Sequence, residues 1–143
     1  MIDLSRRALP RWVAPAATGV AVAAAGALLT VRDPRVPGAY AICPSLALTG
    51  TYCPGCGSLR AVNRLLAGDL AGAVGYNVLA VAVVPVLVYA WVAWALPPRL
   101  TARWPRVGSA PSRAIYAFAV LVGLYWVARN LPWEPFSWLA PSP

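Results

Sequence analysis

Residues 78–96 read VLAVAVVPVLVYAWVAWAL and contain no charged side chain. A helix crosses a hydrocarbon core of about 30 Å with about 20 mostly apolar residues, because each residue adds about 1.5 Å of rise. The stretch is therefore predicted to span a membrane. Pro97 and Pro98 follow it and end the helix, and Pro85 predicts a kink within it.

The composition of the whole chain supports a membrane environment. Of its 143 residues, 60% are hydrophobic and 11% charged, against roughly 45–50% and 25% in soluble domains. The net charge is +8, with 12 basic residues, 4 acidic residues and no histidine. The arginines flank apolar runs, which indicates anionic lipid rather than nucleic acid as the partner. The absence of histidine excludes a histidine-dependent catalytic triad.

Two further apolar runs predict two more spans. Residues 13–31 are uncharged and favour a retained signal anchor over a cleaved signal peptide. The run at 114–131 contains Arg129, so its uncharged part is shorter than the other two runs. It spans a membrane if the helix continues to Leu131. Small residues on the first span, including Gly19 and Gly26, favour close packing against another helix, in a homo-oligomer or another membrane protein.

The arginines also predict an orientation, because cytoplasmic flanks carry the excess of positive residues. With three spans, the N-terminus and the loop between the second and third spans share one side and hold seven arginines; the other side holds five. We expect a multi-pass plasma membrane protein whose N-terminus is cytoplasmic. Segment 32–77 and the Pro- and Trp-rich tail, 132–143, then lie outside, with the tail at the interface.

All three cysteines lie in the outer segment, as Cys43 and as Cys53-Pro54-Gly55-Cys56-Gly57. The residues from Pro54 to Gly68 predict an amphipathic interfacial helix that carries this CPGCG motif. Its polar face is predicted to hold Cys56, Arg60, Asn63 and Arg64, and its apolar face Leu59, Val62, Leu65 and Leu66. Asp69 is expected to cap the next helix, which runs through Asn77 into the second span. The predicted fold is an all-α integral membrane protein in one domain.

Ordered short motifs occur along this segment and near the end of the chain: Thr49-Gly50, Cys53-Pro54-Gly55-Cys56-Gly57, Arg60-Ala61, Gly68-Asp69, Ala73, Tyr76-Asn77 and Arg129-Asn130-Leu131-Pro132. Their combination resembles an uncharacterised family of small bacterial membrane proteins, domain of unknown function 2752. The chain departs from the family pattern twice. Leu59 stands where the family usually has Thr. Val78 stands where the family usually has Pro, directly after an Asn. The resemblance implies no known activity.

Three hypotheses fit the cysteines. A structural disulfide favours the pair Cys43 and Cys53, whose loop closure contributes about 3 kcal/mol, and leaves one cysteine over. A thiol–disulfide oxidoreductase would use Cys53 and Cys56, with a thiolate stabilised by the helix N-terminus and Arg60, and Cys43 as a relay. A zinc or iron site would use all three as ligands, and only Asp69 or a second chain completes it.

Polar residues near the outer interface predict a second cluster: Arg60, Arg64, Asp69, Asn77, Arg129 and Asn130. Asp69 is expected to pair with Arg60 or Arg129, because unpaired charges are costly there. The cluster is either a structural network or a site for a lipid phosphate. We expect a non-enzymatic membrane component without a cofactor that acts through lipid or protein contacts, with the oxidoreductase and the metal site as alternatives.

Overall fold

The computed structural model describes residues 10–36, 38–40, 43–105, 111–134 and 136–139, in which helices are joined by turns. The helices are α1 (Val13–Val31), α2 (Pro44–Thr49), α3 (Ser58–Leu66), α4 (Leu70–Ala95), α5 (Pro98–Thr101), α6 (Ser112–Ala128) and a short 3₁₀-helix (Phe136–Leu139). No strand occurs within these ranges. The all-α prediction is confirmed there.

Two of the helices, α1 and α4, are long and apolar enough to cross a membrane, with mean hydropathies of 1.7 and 2.3. The bounds of α1 are those predicted for the first span. Helix α6 has 17 residues and ends at Ala128, so the predicted continuation to Leu131 is wrong. The chain instead tightens at the end of α6, where Asn130 N–H donates to Val127 O and Leu131 N–H to Ala128 O.

Helix α4 consists of two helical halves that meet at Asn77, whose dihedrals (φ −164°, ψ 98°) are non-helical. The side chain of Asp69 caps the first half by accepting from Gly72 N–H at 2.8 Å, as predicted. Asn77 Oδ1 caps the second half by accepting from Ala80 N–H at 2.9 Å. The second half of α4 therefore begins where the uncharged run begins, at residue 78, and the predicted continuous helix through Asn77 is wrong. The break lies at Asn77, and Pro85 lies inside the second half.

The ends of the bundle are fixed by two long-range hydrogen bonds. The guanidinium of Arg11 donates to Leu96 O at 3.2 Å, so the start of α1 lies beside the end of α4. Asn63 Nδ2 donates to Leu29 O at 2.8 Å, which joins α3 to the other end of α1. Helices α1 and α4 are therefore antiparallel. The CPGCG motif and the loop that follows α4 lie at opposite ends of the bundle.

The glycines of α1 permit close helix packing within the chain. A Cβ atom on Gly19 would lie 2.9 Å from the ring of Trp91 in α4. The same ring donates from its Nε1 to Pro15 O at 3.2 Å. Gly26 faces the side chain of Leu66 in α3. These small residues pack against helices of the same chain, and the predicted packing in a homo-oligomer or against another membrane protein stays a prediction.

Helix α3 begins later than predicted. Gly57 precedes it with a left-handed φ of 81°, so the helix starts at Ser58 and the Cys-Pro-Gly-Cys residues form turns before it. Ala61 and Asn63 are buried, whereas Leu59 and Leu66 are 46% and 52% exposed. The small and polar residues Ala61 and Asn63 therefore face the protein, whereas Leu59 and Leu66 keep about half of their surface exposed. The end of the chain packs against α4 through the 3₁₀-helix.

Candidate functional site

The three cysteine sulfurs form one cluster. Cys53 Sγ lies 3.4 Å from Cys43 Sγ and 3.3 Å from Cys56 Sγ, and all three sulfurs lie within 4.8 Å of one another. A disulfide requires about 2.05 Å, so the cysteines are free thiols. The predicted Cys43–Cys53 disulfide is wrong for this structure, because Cys53 contacts both neighbours and is bonded to neither. Cys56 is buried, and the other two are half-buried.

Two local structures bring the sulfurs together. Cys43 precedes α2 as its N-cap residue, with Pro44 in the first turn. Cys53 and Cys56 lie in a tight turn in which Cys56 N–H donates to Cys53 O at 3.1 Å. The left-handed Gly57 then turns the chain into α3. The turn thereby brings the two sulfurs of the CPGC motif to 3.3 Å from each other.

Asn77 holds this turn from the side of α4. Its side chain is 1% exposed. Asn77 Nδ2 lies 2.9 Å from Pro54 O, 3.0 Å from Cys56 O and 3.1 Å from Ser58 Oγ. Its Oδ1 accepts from Tyr125 Oη at 3.2 Å as well as capping the second half of α4. The break in α4 therefore places one amide between the cysteine turn, α4 and α6.

Arg129 holds the same turn from the end of α6, and its side chain is also 1% exposed. Its Nη1 donates to Cys53 O at 3.0 Å and to Pro54 O at 3.3 Å, and its Nη2 donates to Cys56 O at 3.1 Å. The rings of Tyr52 and Tyr125 lie 5.9 Å and 5.0 Å from the guanidinium carbon. Among the described residues, Arg129 thus contacts carbonyl dipoles and aromatic faces, not a carboxylate.

Asn130 attaches α6 to the segment before Cys53. Its Oδ1 accepts from Tyr52 N–H at 2.8 Å, and its Nδ2 donates to Tyr52 O at 2.9 Å. The amide therefore pairs with both polar groups of the Tyr52 backbone, as a neighbouring strand would. Two consecutive side chains at the end of α6 bind the residues that carry the cysteines.

The predicted polar cluster separates into two groups. Asn77, Arg129 and Asn130 surround the cysteine turn. The remaining three residues lie around α3: Arg64 pairs with Asp69 at 3.2 Å, and Arg60 donates to Pro34 O at 3.3 Å and faces the Tyr76 ring. The predicted pairing of Asp69 with Arg60 or Arg129 is wrong, because Arg64 lies within reach of the carboxylate that caps α4. Asp69 is not part of the cysteine cluster.

Sequence reasoning did not identify three residues of the site: Tyr52, Ser58 and Tyr125. Tyr125 precedes Arg129 by four residues, so helical spacing places its ring beside the guanidinium. That spacing was the available signal. Tyr52 adjoins Cys53 in sequence, but its contacts with Asn130 depend on tertiary packing.

The environments of the thiols differ. The pKa of Cys43 is lowered to about 7, first because Leu46 N–H donates to its sulfur and then because of the neighbouring thiols. Burial raises the pKa of Cys56 to about 12. The redox hypothesis expected a lowered pKa within the CPGC pair. Cys56 is not the thiol that this hypothesis requires, because it lies in a buried turn ahead of α3.

Residues 43–91 match the model of a family described as protein of unknown function (DUF2752). The match covers about a third of the chain and shows a similarity to DUF2752 over that segment. This confirms the family that the motifs resemble. The DUF2752 segment contains the three cysteines and Asn77, whereas Arg129 and Asn130 lie beyond it. The searches of curated proteins and of solved structures gave no match.

Proposed function

We propose that this protein is a membrane protein whose Cys43, Cys53 and Cys56 bind one thiophilic metal ion, with Zn²⁺ as the reference ion. The observation that carries the proposal is the sulfur triangle, with two edges of 3.3 and 3.4 Å and none above 4.8 Å. A tetrahedral zinc site with Zn–S bonds of about 2.3 Å has S···S edges of about 3.8 Å. The cluster needs only small movements to reach that geometry.

The surroundings of the turn favour a bound ion in two ways. Arg129 and Asn77 fix the backbone of Cys53 and Cys56, which reduces the cost of ordering the ligands. Three thiolates with a divalent ion also carry one net negative charge. The buried guanidinium of Arg129, which binds carbonyl groups of two of the cysteines, supplies one positive charge nearby. A loaded site therefore compensates a cation that, among the described residues, contacts only carbonyl groups and aromatic rings.

The proposed membrane arrangement has three crossings. Helix α6 follows the loop at one end of the bundle, and Arg129 at its end binds the cysteine turn at the other end. It must therefore run the length of the bundle, and its apolar side chains face outward, Ile115, Leu121 and Leu124 each being at least 60% exposed. These surfaces fit lipid. The arginine distribution then places the cysteine site on the outer face of the plasma membrane.

Cobalt substitution tests the metal proposal. The reduced protein, purified in detergent without oxygen, should bind one Co²⁺ per chain and show thiolate-to-cobalt charge transfer with the visible bands of a tetrahedral ion. Cys43→Ser, Cys53→Ser and Cys56→Ser should each weaken binding at least tenfold. Asp69→Asn is the matched control and should bind as the wild type does, because Asp69 caps α4 and pairs with Arg64. The absence of stoichiometric binding by three titratable thiols would overturn the proposal.

Thiol–disulfide exchange is the second candidate, because Cys53 contacts both other sulfurs. Two thiols would form one disulfide and pass two electrons and two protons to an acceptor disulfide. The S–S distance would shorten to about 2.05 Å. Equilibration with a glutathione redox buffer tests it by mass spectrometry: a reversible loss of two hydrogens at a defined potential supports exchange, whereas persistent thiols exclude it.

A further inference from the structure

We infer that the metal site has an open fourth position that accepts a neutral donor from outside the chain, with imidazole as the representative ligand. This inference rests on the proposed function. It adds the chemical class of the ligand that the site would take and the direction from which that ligand approaches.

The ligand count requires an external donor. Zinc sites usually have four ligands, and sites that keep one position open bind a water molecule or a substrate there. Among the described residues, the cluster of metal-binding side chains consists of the three cysteines alone. Asp69 is occupied by Gly72 N–H and Arg64. The chain has no histidine at all, so an imidazole ligand must come from another molecule.

One side of the cluster is accessible. Cys56 is buried, and Asn77 and Arg129 donate to its carbonyl oxygen, whereas Cys43 and Cys53 are half-buried. Gly55 is exposed at this edge, and a Cβ atom there would lie 3.8 Å from Cys53 Sγ. A ligand therefore reaches the ion past Gly55. A large side chain at this position would narrow the approach without straining the backbone, because the φ of Gly55 is not positive.

Charge selects a neutral donor. The trithiolate site with a divalent ion carries one negative charge, which the buried guanidinium of Arg129 compensates. An added thiolate would leave a second negative charge without a compensating group in a partly buried site, which is costly. Imidazole or water adds no charge. The site is therefore expected to favour imidazole over a small thiolate.

The test uses the Co²⁺-loaded protein in detergent, titrated with imidazole and separately with 2-mercaptoethanol. Imidazole should shift the visible cobalt bands in a saturable manner with one molecule per ion, at a concentration at least tenfold lower than the thiol requires. Gly55→Leu should weaken imidazole binding at least fivefold while one Co²⁺ per chain still binds. Gly75→Leu is the matched control, because Gly75 is an exposed glycine with open space around it.

The outcomes separate this inference from the proposed function. If no Co²⁺ binds, the metal site itself is refuted. If Co²⁺ binds with a tetrahedral spectrum that imidazole does not change, the fourth position is filled and the open position is refuted; light scattering then shows whether a second copy of the chain fills it. If the thiol binds more tightly than imidazole, the charge argument is refuted. If Gly55→Leu and Gly75→Leu behave alike, the proposed approach past Gly55 is wrong.

Discussion

Asn77 and Arg129 share two acceptors, which predicts a specific form of non-additivity. Both side chains donate to Pro54 O and to Cys56 O. In Asn77→Ala, each of these carbonyl groups keeps Arg129 as a donor. In Arg129→Met, each keeps Asn77, and Cys53 O keeps Cys56 N–H. After either single substitution, each of these carbonyl groups therefore keeps at least one described donor.

The double variant removes both donors at once. A buried polar group that loses its hydrogen bonds costs about 1–3 kcal/mol. For the two shared carbonyl groups, we expect the double variant to lose about 2–6 kcal/mol more unfolding free energy than the sum of the single losses. The cost of removing each donor on its own is contained in the single variants and cancels in the cycle.

The assay is reversible unfolding in mixed micelles with increasing SDS, followed by tryptophan fluorescence, under reducing conditions with EDTA so that bound metal does not contribute. The chain has 7 tryptophans, which supply the signal. Asp69→Ala combined with Arg129→Met is the control cycle. Its losses should add within about 0.5 kcal/mol because the two residues share no described partner. Additive losses for Asn77 and Arg129 would refute the shared-acceptor reasoning.

Four further predictions concern other parts of the fold. Val78→Pro should raise the thermal midpoint or leave it unchanged, with a gain of up to about 1 kcal/mol, because Val78 is the first residue after the Asn77 cap and proline suits that position. In the reduced, metal-free protein, iodoacetamide should alkylate Cys43 fastest, with a rate that rises through about pH 7, and Cys56 slowest. The reason is that the pKa of Cys43 is lowered to about 7 and that of Cys56 is raised to about 12. The opposite order of alkylation in peptide mapping would contradict these environments. Gly19→Leu should lower the thermal midpoint more than Gly19→Ala, since the new side chain meets the ring of Trp91, and equal midpoints would contradict the packing. In intact cells, an impermeant maleimide should label a single cysteine at position 43 but not one introduced as Arg103→Cys. The reverse pattern would show that the proposed orientation in the membrane is inverted.

Hydropathy alone predicted much of the fold. The bounds of α1 and the start of the second half of α4 at residue 78 follow from apolar runs, because side-chain transfer into lipid depends on local sequence. The break at Asn77 did not follow from the same pattern. An asparagine within an apolar helix is compatible with either a continuous helix or a cap, and contacts with a turn distant in sequence decide between them.

The sequence predicted many residues of the candidate site, but not the groups with which they form hydrogen bonds and ion pairs. The cysteine spacing was compatible with a metal or redox motif, and Asn77, Arg129 and Asn130 were predicted to lie near the outer interface. Pairing was wrong where charge complementarity was the only guide. Asp69 was assigned to Arg60 or Arg129, but the carboxylate reaches Arg64, and Arg129 binds backbone carbonyl groups. Carbonyl acceptors are present at every residue, so their use is not visible in a sequence pattern.

The distance along the chain between the cysteine turn and Arg129 has a consequence for biosynthesis. The carbonyl groups that Arg129 binds precede it by 73 to 76 residues. At about 5–20 residues per second, the ribosome needs roughly 4–15 s to produce that length. During this interval, the nascent turn leaves the ribosome without the guanidinium that later secures it. The thiols are therefore open to oxidation or to wrong pairing until α6 has folded against the turn.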